Sequence, residues 1–173
     1  MGGIVHPQIY SQIKSNAMEV KRHNEGEDSV LQATLDIIPN ITIHKKNNNM
    51  GIVEIRKKIF NGVNLFMDAE NPNKTSKGNY RRTELKITNK NTDVFIEVKQ
   101  QKTSSNITDS VLGEVSRARN IKGQYWLVLL GKPYQCPIVL YSIVEAIELY
   151  KLNDKVKVFT TIEQYKTELQ KTF

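Results

Sequence analysis

Residues 125–130 read Tyr-Trp-Leu-Val-Leu-Leu, with no polar residue to break the run. Side chains alternate between the two faces of a strand, so a run that is apolar throughout leaves neither face for water. The reading is a central strand over residues 124–131, covered on both sides and ended by Lys132-Pro133. Covering both faces of a sheet takes two further layers, and helices are the segments here that can supply them. The expected fold class is therefore α/β, a central mixed β-sheet flanked by helices. A chain of 173 residues is long enough to build it as a single domain, 1–173.

Helical periodicity marks the flanking layers. Residues 7–23 place Ile9, Ile13 and Val20 at loose helical spacing before Asn24-Glu25-Gly26 interrupts. A second helix runs from Glu27 to Ile38, with the stripe Val30, Leu31, Thr34, Leu35 and Ile38 at a 3.6-residue period. Pro39-Asn40 stops it. Extended segments follow at 41–44, 52–60 and 63–67. The last two are joined by Asn61-Gly62, a hairpin signal because both residues accept positive φ. Residues 70–79 carry no apolar anchor and read as a basic, mobile loop. Further on, 108–120 reads as a helix capped by Thr108 or Asp109, with Gly123 beyond its end. Residues 138–152 read as a strand running into a helix, 156–159 as a short strand and 161–170 as a capped helix.

Net charge is +7, which favours a polyanionic partner, since each phosphate neutralised releases counterions. Cys136 stands alone, so no intrachain disulfide forms, and His6, His23 and His44 are too scattered to complete a thiolate zinc site. No glycine-rich phosphate loop is present, so no small-molecule nucleotide cofactor is expected. The longest apolar runs, 126–130 and 137–141, are too short to cross a bilayer. The N-terminus has neither a basic start nor an apolar leader. The expectation is a cytoplasmic protein with no membrane partner.

Residues 80–87 and 94–101 form the clearest hairpin, turning over 88–93. Along the second strand, Val94, Ile96 and Val98 take the core face, while Phe95, Glu97, Lys99 and Gln101 share the other. A turn centred near residues 89–91 places Glu84 across from Glu97 and Lys86 across from Phe95. Two carboxylates at cross-strand distance repel unless positive charge lies between them. A divalent cation is the natural occupant, since hard cations prefer carboxylate oxygens. Such an ion could polarise a phosphate and lower the pKa of water, with Lys99 beside it to hold that water or stabilise developing charge. Glu27 adds a third acid, on the inward stripe of the second helix at its first turn.

The tripeptide Glu97-Val98-Lys99, preceded by hydrophobic residues 94–96, resembles the (D/E)xK signature of the PD-(D/E)xK nuclease superfamily. Gln101 is similar to the glutamine often found two residues beyond that lysine. By element order the resemblance covers about residues 25–131. It implies a restriction-endonuclease-like αβββαβ core, with 1–24 and 138–173 as helical or extended additions. The implied activity is a Mg2+-dependent endodeoxyribonuclease of the type II restriction kind, with Mn2+ able to substitute. Alternatives are a Holliday-junction resolvase or phage recombination nuclease, and an inert nucleic-acid-binding module of the same fold.

The resemblance also implies roles. Glu84 and Glu97 would bind metal with the Val98 backbone carbonyl, and Glu27 would be a further contact. Lys99 would assist the nucleophile, and Gln101 would orient Lys99 or touch substrate. One departure is plain: no Pro-Asp occurs in the chain. Thr83-Glu84 stands in its place by position. Asp68 is the alternative, if 70–79 is an insertion. Lys74, Lys77, Arg81 and Arg82 are the candidate DNA contacts. A homodimer is expected, with residues 1–24 and the C-terminal helix as interface candidates. Arg117, Arg119 and Lys122 need no function near a helix C-terminus, and Tyr125 reads as packing.

Overall fold

The structure, a computed structural model, describes residues 25–47, 51–56, 62–101 and 107–173. The expected helix at 7–23 lies outside the described residues, as do Asn61 and the side chains of Thr108 and Asp109. Strands β1 (Thr42–Asn47), β2 (Gly51–Arg56), β3 (Asn64–Lys74), β4 (Tyr80–Thr88), β5 (Asp93–Gln100), β6 (Gln124–Leu130) and β7 (Val156–Phe159) form one seven-stranded sheet. Their spatial order is β2-β1-β3-β4-β5-β6-β7. β3, β4 and β5 are an antiparallel meander, whereas β1 runs parallel to β3, and β5, β6 and β7 run parallel to one another. The sheet is therefore mixed. Helices α1 (Glu25–Ile37), α2 (Ile107–Ala118), α3 (Pro137–Leu149) and α4 (Ile162–Thr172) cover it.

The two faces carry separate cores, as the apolar run in β6 requires. Trp126 and Val128 join Ile96 and Val98 beneath α1 and α4, while Tyr125, Leu127 and Leu129 join Phe95 beneath α2 and α3. Residues 125–129 are all buried. Each aliphatic side chain removed from water this way contributes about 1.5–3 kcal/mol. The α1 stripe behaves as its period predicts: Val30 and Leu35 are fully buried. Thr34 donates to the Val30 carbonyl and shares a 2.6 Å bond with the Tyr165 hydroxyl, which ties α1 to α4. Tyr165 and Leu169 are buried within this chain, so the apolar face of the C-terminal helix packs on its own core.

Three sequence expectations are corrected. Asn61-Gly62 does not join neighbouring strands. Gly62 has the positive φ of +65°, but β1 lies between β2 and β3. A local turn signal states that the chain reverses, not which strand it meets. Burial of Ile43, opposite Leu65, holds β1 in that inner place.

Residues 70–79 are not a loop. β3 continues to Lys74, with Asn71 and Asn73 buried. Their amides replace the apolar anchors that the sequence lacks. Asn71 donates to Thr83 Oγ1, and Asn73 donates to the Arg117 carbonyl on α2. The turn itself is tight and spans Thr75 to Asn79, with Gly78 at φ +83°.

Residues 137–149 form a helix throughout, begun by Pro137 in the first turn, where its missing N–H costs nothing. Ile143 and Ile147 pack inward while Ile138, Tyr141 and Leu149 face out. Apolar residues on both faces masked the helical period.

Candidate active site

The site grows from the register of the β3-β4-β5 meander. Phe66 pairs with Lys86, and Lys86 with Phe95, as the expected hairpin turn requires. The Lys86 ammonium lies 5.0 Å from the Phe95 ring centre and 6.0 Å from that of Phe66, so this row faces the α2 side. Two residues further along each strand stand Asp68, Glu84 and Glu97. Alternation puts them in one row on that same face. The β4–β5 ladder has its last pair at Leu85–Ile96, immediately before Glu84 and Glu97. β4 continues instead with β3 as far as Tyr80–Lys74. The sheet thus splits at this row, with the β3–β4 hairpin forming one arm and β5–β6 the other.

Glu97 is buried on β5, and Lys99 follows on the same face. The Lys99 ammonium lies 3.9 Å from Glu97 Oε1 and 3.5 Å from Glu114 Oε1. Glu114, on α2, was missed by the sequence reading. Arg117 Nη2 donates to Glu114 Oε1 at 2.6 Å, and the Tyr125 hydroxyl donates to Oε2 at 2.6 Å. Burial pushes the Glu114 carboxyl up. The Tyr125 and Arg117 hydrogen bonds and the Lys99 and Arg117 charges outweigh it and hold the carboxyl below its ordinary value of 4.5. Burial, then the charges of Glu114 and Glu97, push the Tyr125 hydroxyl well above its usual range. A signal for Glu114 exists in the sequence. It falls between Val111, Val115 and Ala118 on the inward face of α2, three residues before Arg117. Arg117, read as needing no function, and Tyr125, read as packing, belong to this cluster.

The remaining expected residues are placed differently. Asp68 adopts a left-handed φ of +53°. Arg82 Nη1 donates to its backbone carbonyl and lies 3.9 Å from its carboxylate, while Arg82 Nη2 is 3.5 Å from Glu70. Glu27 sits in the first turn of α1, on the opposite face from Lys99. That helix is pinned to the end of β5 by Gln100, whose Oε1 accepts from the Gly26 N–H at 2.7 Å. Gln101 lies just past β5, and its N–H donates to the Leu130 carbonyl. The structural contact in this glutamine pair therefore falls to Gln100. Val98 buries its side chain under α1 and stands opposite Val128. Among the described residues, no group of three or more His, Cys, Asp or Glu gathers closely enough to hold a metal ion.

The split in the sheet opens a cleft of about 230 Å³ between the β3–β4 arm and α2. Arg81, Arg82, Arg117 and Glu114 line it together with Tyr80. Lys74 rests over the Tyr80 ring at 5.0 Å, and Lys77 is exposed in the hairpin turn. The four expected DNA contacts are thus gathered on one arm. Among the described residues, no helix is long and apolar enough to cross a membrane. No protein-family model, curated protein or solved structure matches the chain.

Proposed function

We propose that this protein is a metal-dependent endonuclease hydrolysing DNA phosphodiester bonds, with a restriction-endonuclease-like core formed by α1, the β3-β4-β5 meander, α2 and β6. The observation that carries the reading is the split at Glu97. A buried carboxylate and an ammonium project from the same face of β5, where the sheet parts one position past the last β4–β5 pair, Leu85–Ile96. The donor chemistry suits Mg2+ or Mn2+, since Glu84 and Glu97 offer hard oxygens and a buried carboxylate is costly without positive charge nearby. Glu84 and Glu97 would hold the ion with the Val98 carbonyl. Bound there, the ion supplies Lewis acidity to a phosphate oxygen.

The chain's own groups do the rest. Lys99 orients the attacking water, or stabilises charge developing on phosphate. Glu114 limits the freedom of Lys99 from the helix side. Arg81, Arg82, Lys74 and Lys77 draw the DNA backbone onto the β3–β4 arm, in keeping with the net charge of +7. A twofold homodimer belongs to the same proposal, and sedimentation of the full chain tests it.

A second reading, a non-cutting nucleic-acid-binding module, is favoured by one observation: Lys99 lies closer to Glu114 than to Glu97. Supercoiled plasmid incubated with and without Mg2+ separates the two. The nuclease reading expects Mg2+-dependent nicking that disappears in Glu97→Ala and Lys99→Ala, and saturable Mg2+ binding that disappears in Glu97→Ala. Binding without nicking, indifferent to Mg2+, leaves only the module.

A further inference from the structure

The cleft beside Glu114 has properties that the proposed reaction does not use. Arg81 lines it and is half-buried, yet its guanidinium makes no ion pair or hydrogen bond with any described residue. A charged guanidinium left without a counter-charge in a half-enclosed cleft is a place for an anion. The other charges there are already matched. Arg82 is held by Asp68 and Glu70, and Arg117 by Glu114, whose own charge is shared among Arg117, Lys99 and Tyr125.

At the rim, Tyr80 is 52% exposed, with Lys74 resting on one side of its ring. The other side is available for stacking. The cleft is smaller than the roughly 300–1,000 Å³ of a drug-sized pocket, which suits one nucleotide and not a duplex. A base within a duplex has both faces covered by its neighbours, so only an unpaired base can present a face to Tyr80.

We infer that this cleft is a subsite for one unpaired nucleotide of a single strand, with Arg81 taking its phosphate and Tyr80 stacking its base. The inference rests on the nuclease reading and deepens it. Glu114 borders the cleft and also contacts Lys99, which links the cleft to the proposed cutting site. The substrate class is then DNA with a single-stranded or frayed segment.

The test is fluorescence binding of the full chain, in EDTA, to a dT octamer carrying one 2-aminopurine, and to a blunt duplex of the same length. The single strand is expected to bind at least about fivefold more tightly than the duplex. Arg81→Ala should weaken single-strand binding by about tenfold or more, with part of the loss restored in Arg81→Lys. Tyr80→Ala should abolish the fluorescence quench, and Tyr80→Phe should keep it. Equal affinity for duplex, or an Arg81→Ala variant that binds as the parent does, overturns the subsite. Single-strand binding without plasmid nicking removes the nuclease reading and leaves the subsite standing. Nicking without single-strand preference removes the subsite alone.

Discussion

The ammonium of Lys99 lies 3.5 Å from Oε1 of Glu114, so an amine on the central sheet is held by an acid on the helix that covers it. That contact ties β5 to the helix that forms one wall of the cleft. It also fixes which neighbours decide the position of Lys99. Several outcomes can be checked.

Glu114→Gln should destabilise the fold by about 1–3 kcal/mol at pH 7, since it removes one partner of a mostly buried charged hydrogen-bond network. The sign with pH follows from the depressed carboxyl. Its stabilisation is complete above the ordinary value of 4.5 and is lost as pH falls through the lower folded value. The Tm gap between parent and variant should therefore narrow as the pH is taken from neutral into the acid range. A gap that stays constant would show that the charge of Glu114 does not hold the cluster.

Under the proposed metal reading, Glu84 and Asp68 are the two candidates for the second acid. Glu84 follows the last β4–β5 pair, Leu85–Ile96, while Asp68 is engaged by Arg82. Calorimetric titration should find Mg2+ affinity reduced about tenfold or more in Glu84→Gln, as in Glu97→Ala. In Asp68→Asn it should stay within about threefold of the parent. The opposite order would move the site onto β3.

Gly123 and Gly131 bracket β6, with φ of +102° and +114°. A Cβ at Gly123 would overlap the Asp93 carbonyl, and one at Gly131 the Gln101 carbonyl. Gly62 and Gly78 also have positive φ but open space around them. Urea unfolding should rank Gly123→Ala and Gly131→Ala as the more damaging pair. Each should cost about 1–3 kcal/mol of backbone strain plus the overlap, and Gly62→Ala and Gly78→Ala the strain alone. Equal costs in all four would refute close β5–β6 docking at these ends.

Asn73 anchors the β3–β4 arm. Its amide reaches Asn71 and the Arg117 carbonyl, and its oxygen accepts from Asn120. Asn73→Ala should lower stability by about 1–3 kcal/mol and speed amide exchange at Gly78 and across Tyr80–Thr83 without affecting β6. Uniform acceleration through the whole sheet would mean that the arm is not a separate unit.

Much of the architecture was legible because it follows from short-range patterning. The α1 stripe, the β4–β5 register and the doubly buried β6 all follow from residue period and alternation. Glu97 and Lys99 share a face by the same rule. The polar anchors were illegible. Asn71 and Asn73 look like loop residues until Thr83 and Arg117 come within hydrogen-bond reach. Helix α3 hid its period by being apolar on both faces. Glu114 could have been found from its helical phase and its spacing to Arg117, but its other two partners, Lys99 and Tyr125, lie on two strands.

By itself the sequence determined which residues face the same way along each strand and helix, because that depends only on backbone geometry between near neighbours. Only the tertiary structure decided that β1 inserts beside β3, that the sheet parts at Glu97, and that Glu114 rather than Glu27 lies within ion-pair reach of Lys99. Those outcomes depend on which distant segments exclude water most completely when packed together. That competition is settled across the whole chain and leaves no mark in any single stretch of it.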